Sequence, residues 1–102
     1  MAELGIDAAR AKAIVEAILA ENSANGGVPC VLVGEPTDYE FWWVQGYQSR
    51  AFIEDGDENA ILAGNGPIVV PKDGSAPFQL SSALPAAVQM ERIRAARPDA
   101  GA

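Results

Sequence analysis

The residues best suited to chemistry are carboxylates, and they fall in two clusters. Glu35, Asp38 and Glu40 form the first; Glu54, Asp55, Asp57 and Glu58 form the second. Grouped carboxylates can ligate Ca²⁺ or divide the roles of general acid and general base. The run Asp55-Gly56-Asp57 lacks both the ligand spacing and the terminal Glu of a helix–loop–helix calcium site. Histidine is absent, which removes every His-based triad, general base and metal site. The single cysteine, Cys30, sits in the apolar run Cys30-Val31-Leu32-Val33 and reads as a buried structural thiol. The clusters therefore read as solvated loop charges or a partner-facing patch. No catalytic, cofactor-binding or metal-ligating residue is assigned.

Aromatic residues gather in one stretch: Tyr39, Phe41, Trp42, Trp43 and Tyr47. Stacking of single-stranded nucleic acid needs aromatics interleaved with basic residues, and only Arg50 is near. The whole chain argues the same way. Seven Lys and Arg against fourteen Asp and Glu give a formal charge of −7, a poor match for a phosphate backbone. No segment reaches the roughly 18–20 apolar residues of a membrane helix. Glu3 and Asp7 near the N-terminus do not fit a signal peptide. The lone thiol points to a reducing cytoplasm. At 102 residues, 49% of them hydrophobic, the chain can bury about 65% of its surface in one core. A single domain over residues 1–97 is expected, with a frayed tail at 98–102.

The elements that must position these residues follow from periodicity. Ala11, Ile14, Val15, Ile18 and Leu19 recur at helical spacing within Asp7–Asn22. Asp7 suits the N-cap, and Asn22-Ser23-Ala24-Asn25-Gly26-Gly27 stops the helix. Cys30–Val33 reads as a short strand, Glu35–Asp38 as a turn and Tyr39–Ser49 as a long aromatic strand. In that strand Tyr39, Phe41, Trp43, Gln45 and Tyr47 share one face, and Trp42 and Val44 share the other. Arg50–Glu54 reads as a continuation past a bend, and Asp57 as the cap of a single helical turn. Gly64-Asn65-Gly66-Pro67 breaks the chain, with a positive φ expected at Gly64 or Gly66. Ile68–Val70 and Phe78–Leu80 read as strands about an Asp73-Gly74 turn. Leu84–Ala96 reads as a helix capped by Ser81 or Ser82, with Pro85 in its first turn. The predicted fold is α+β: an N-terminal helix, a four-stranded antiparallel meander and a C-terminal helix, both helices on one face. The expected core is Ile14, Ile18, Leu32, Phe41, Trp43, Tyr47, Ile68 and Val70, which leaves Trp42 on an open face.

The middle of the chain carries a resemblance. Trp43-x-x-x-Tyr47-Gln48-Ser49, then Phe52-Ile53-Glu54-Asp55-Gly56-Asp57, then Leu62-Ala63-Gly64-Asn65-Gly66-Pro67-Ile68-Val69-Val70 and Lys72-Asp73-Gly74 resemble the YrhB-like family, also called the immunity protein 35 domain. The likeness runs from about Val28 to Ile93. Ser81-Ser82-Ala83 departs from the family's Gly-Thr-Ala before the last helix. The resemblance implies a small cytoplasmic α+β protein, encoded beside a polymorphic bacterial toxin, that binds and blocks that cognate protein toxin. It brings no catalytic residue with it. Its alternative implication is a housekeeping protein with chaperone-like binding of apolar segments, for which Trp42 and Val44 are the candidates. For the toxin-binding reading the expected contacts are Glu35, Asp38, Glu40, Trp42, Asp55, Asp57 and Glu58. No nucleic acid, membrane or cofactor is expected, and the oligomeric state is not legible.

Overall fold

In the computed structural model, residues 5–62 and 66–96 are described. Helix α1 spans Ala8–Ala24, and Asp7 caps it by accepting from the Arg10 N–H at 2.8 Å. Ala11, Val15 and Leu19, spaced by four, are its buried residues, and Ile14 and Ile18 pack half-buried beside them. Four strands follow in the sheet order of the chain, all antiparallel: β1 (Cys30–Tyr39), β2 (Trp42–Ser49), β3 (Ile68–Pro71) and β4 (Phe78–Gln79). Between β2 and β3 lie the short helix α2 (Arg50–Asp55) and a 3₁₀ turn at Glu58–Ala60, and α3 (Ala86–Ala96) closes the chain. The α+β class and the meander order agree with the sequence reading.

Several local expectations are corrected. The hairpin turn lies at Glu40–Phe41, not at Glu35–Asp38, and Tyr39 pairs with Trp42 across it. Glu40 takes the left-handed conformation there, at φ 63°. Phe41 is consequently a turn residue packed beside Trp42, not a member of the α1-side core. The segment read as a turn belongs to β1 as a bulge: Val33 pairs with Gly46 and Thr37 with Val44, so Gly34-Glu35-Pro36 oppose Gln45 alone. Gly34, at φ 69°, supplies the bend. Arg50–Asp55 is helical, capped by Ser49 Oγ, which accepts from the Phe52 N–H at 3.0 Å. Ser81 does not cap α3; its hydroxyl accepts from the Ala83 N–H. Gly64 and Asn65 lie outside the described residues, and with them the expected positive φ. Glycine is required at 66 for space, because a Cβ there would lie 1.8 Å from the Leu80 carbonyl oxygen.

The helices lie on opposite faces of the sheet, not on one. Strand pleating sends Trp43, Tyr47, Ile68 and Val70 toward α1, where they join Ala11, Val15, Leu19 and Leu32. The alternate residues Trp42, Val44 and Val69 meet Leu80 and Met90 beneath α3. Both faces of β3 are thus covered, which accounts for its unbroken apolar run and its complete burial. Trp42 is 5% exposed, so the expected open face around it does not exist.

Candidate functional site

The first carboxylate cluster is tied into the fold. Glu35, in the bulge of β1, meets Lys12 of α1 at 3.1 Å. Asp38 meets Lys72 at 2.6 Å, and the same ammonium lies 4.4 Å from the centre of the Trp43 ring. The Trp43 indole N–H in turn donates to the Ile6 carbonyl at 2.7 Å, which fastens the chain ahead of α1 to the sheet. Glu40, in the hairpin turn, meets Arg94 of α3 at 2.7 Å. Each carboxylate therefore engages a cation from a different element. The hydrogen bond from Lys72 holds the Asp38 carboxyl below the ordinary aspartate range, and Glu40 raises the Arg94 guanidinium further above its usual value.

The second cluster is held by local bonds. Glu54 pairs with Arg50 one turn earlier, at 2.9 Å. Asp57 caps the 3₁₀ turn through the Asn59 N–H at 3.0 Å, as its position after Gly56 predicts. Asp55 and Glu58 are exposed and form no ion pair among the described residues. Among the described residues no group of three or more Cys, Asp or Glu is arranged to hold a metal ion. No helix described is long and apolar enough to cross a membrane.

The structure does not bring the two clusters together. Glu35, Asp38 and Glu40 line the half of the sheet nearest the hairpin turn, whereas Asp55 ends α2 and Asp57 and Glu58 follow it at the other end, where Ser49 pairs with Cys30. Trp42 belongs with the first group in position and with the core in burial.

Sequence reasoning missed the glutamines that hold these surfaces. Gln45 is completely buried, and its Nε2 lies within 3.1 Å of the carbonyls of Val33, Gly34 and Gly46, supplying donors where the bulge breaks the ladder. Gln48 pins the acidic end: its Oε1 accepts from the Ser49 and Leu62 N–H groups at 2.8 and 2.6 Å. The available signal was an uncharged amide at two places in an otherwise aromatic and apolar strand. Burial raises the Cys30 thiol above its ordinary value, but the residue is half-buried and not the fully buried thiol the apolar run suggested.

Against this geometry stand the comparisons with known proteins. The family described as immunity protein 35 matches residues 9–95 of the chain. A 43-residue stretch is 42% identical to the uncharacterized protein YrhB of Escherichia coli strain K12, covering 42% of this chain and 46% of that protein. No solved structure matches.

Proposed function

The chain belongs to the immunity protein 35 family, and from that premise we propose that it acts in the bacterial cytoplasm by binding and blocking a cognate polymorphic toxin. It works as a binding module and not as an enzyme. The observation that carries the interface is the difference in pairing between the clusters. Among the described residues Asp55 and Glu58 face solvent with no cation paired to them, and the Asp57 carboxylate accepts from a backbone N–H. A partner with basic groups gains most by docking there. Glu35, Asp38 and Glu40 form a secondary part of the surface, since each exchanges an internal ion pair for an external one. Trp42 is removed from the proposed contacts because α3 covers it. The same burial, 5% exposure at Trp42 and 7% at Val44, takes away the two residues on which chaperone-like capture of apolar segments rested.

The test is a binding assay between the chain and the toxin domain encoded beside it, at two ionic strengths. Asp55→Lys with Glu58→Lys is expected to slow association roughly tenfold at low salt and to flatten its salt dependence, with unchanged folding. Tight, salt-independent binding indifferent to both substitutions overturns the acidic interface. No binding to that toxin overturns the immunity role.

A further inference from the structure

Three hollows lie side by side around the C-terminal half of α1. The largest, about 470 Å³, opens between α1 and the start of β1 and is lined by Leu19, Cys30 and Leu32. A second, about 280 Å³, shares Leu19 and Cys30 with the first and is lined also by Tyr47. A third, about 140 Å³, shares Asn22 and Tyr47 with the second and reaches Phe78 at the sheet edge. Through the shared residues each hollow adjoins the next, and together they make a bent groove whose lining is mixed, more apolar than polar.

Charge around this groove runs against the usual pattern. A helix C-terminus carries partial negative charge and normally attracts Lys or Arg. The last turn of α1 has no basic residue and contains Glu21. Glu16 lines the largest hollow, and neither Glu16 nor Glu21 forms an ion pair among the described residues. Arg50, the cation at this hollow, is already paired with Glu54. The groove thus combines apolar walls with uncompensated negative charge. A second copy of the chain, also at −7, is disfavoured as the occupant.

We propose that this groove docks a segment of a partner protein in which Lys or Arg side chains flank apolar ones. Leu32, Tyr47 and Phe78 cover the apolar groups, while Glu16 in the lining and Glu21 in the last turn of α1 receive the cations. This deepens the immunity reading and rests on it for the partner's identity; the groove's chemistry can be tested separately.

Cys30 is the chain's single thiol and lines two of the three hollows, so its alkylation rate reports occupancy. The probes are a short peptide alternating Lys and Leu, a matched peptide alternating Glu and Leu, and the neighbouring toxin domain. The Lys–Leu peptide is expected to slow Cys30 alkylation by about fivefold or more at saturation, and the Glu–Leu peptide to leave it unchanged. Glu16→Lys with Glu21→Lys should weaken the Lys–Leu peptide roughly tenfold. Ala20→Trp, an exposed position lining the largest hollow, should remove the protection by occupying the space. Glu91→Lys, on α3, should change nothing. Circular dichroism confirms that each variant folds. An unchanged alkylation rate with the Lys–Leu peptide overturns the proposal, as does equal protection by the Glu–Leu peptide. A concentration-dependent dimer that shields Cys30 also overturns it. If the toxin binds but Cys30 stays fully reactive and Ala20→Trp binds normally, the groove is refuted and the immunity role stands. If the Lys–Leu peptide protects Cys30 and the toxin does not bind, the groove stands and the immunity role fails.

Discussion

At the hairpin end of the sheet, Glu35, Asp38 and Glu40 reach across to Lys12, Lys72 and Arg94, which belong to α1, the turn after β3 and α3. At the α2 end, Glu54 reaches only one turn back to Arg50, and Asp55 and Glu58 reach nothing among the described residues. The two ends carry similar charge and commit it differently. One end uses carboxylates to join distant elements; the other leaves them facing water. Exposed ion pairs each contribute only about 0–1 kcal/mol, so the hairpin end is not held together by them. Their consequence is that its charge is already compensated, and charge left uncompensated is what steers a partner of opposite sign.

The largest expected effect tests what holds the hairpin end if its ion pairs do not. Trp42→Ala removes a buried ring packed among Val44, Val69, Leu80 and Met90, and should cost about 3–5 kcal/mol by urea unfolding. A loss below about 1 kcal/mol would mean that α3 does not cover this face. Next comes the α2 end. Gln48→Leu removes the acceptor of the Ser49 and Leu62 N–H groups and should cost about 1–3 kcal/mol, with faster hydrogen exchange at Leu62. Unchanged exchange there would show that other contacts hold the acidic segment.

Smaller effects sharpen the contrast in charge. Asp38→Asn should lower stability by up to about 1 kcal/mol, in a salt-dependent way. Asp55→Asn should stay within about 0.5 kcal/mol at any salt. Equal effects at the two sites would erase the distinction between the ends. The smallest effect is in acid. Lys72 depresses the Asp38 pKa in the folded chain, so the unfolded chain binds this proton more readily. The stabilisation is therefore present above the ordinary aspartate pKa of about 3.9 and is lost as the pH falls through the depressed folded value. Lys72→Met should remove that part of the acid dependence, which a series of unfolding curves between neutral and strongly acidic pH would detect.

What the sequence determined by itself was local. Asp7 caps α1, the helical spacing of Ala11, Ile14, Val15, Ile18 and Leu19 marks its inward side, although Ala11, Val15 and Leu19 are buried more deeply than the expected Ile14 and Ile18, and Asp57 caps a single turn. In each case residues a few positions apart satisfy one another, so their types and spacing contain the answer. The strand count and meander order were legible for the same reason, as was the family through its Leu62–Val70 and Lys72–Gly74 motifs. Tertiary structure decided the rest. The aromatic run from Tyr39 to Tyr47 has uniformly strong strand character, so nothing in it marked Glu40–Phe41 as the turn. Pleating fixed Trp42 and Trp43 on opposite faces, but only the path of α3 decided that the Trp42 face would be covered. Likewise both acidic clusters look alike as sequence. Which one is compensated depends on Lys12, Lys72 and Arg94, separated from their partners by 23, 34 and 54 residues, and only folding brings them within reach.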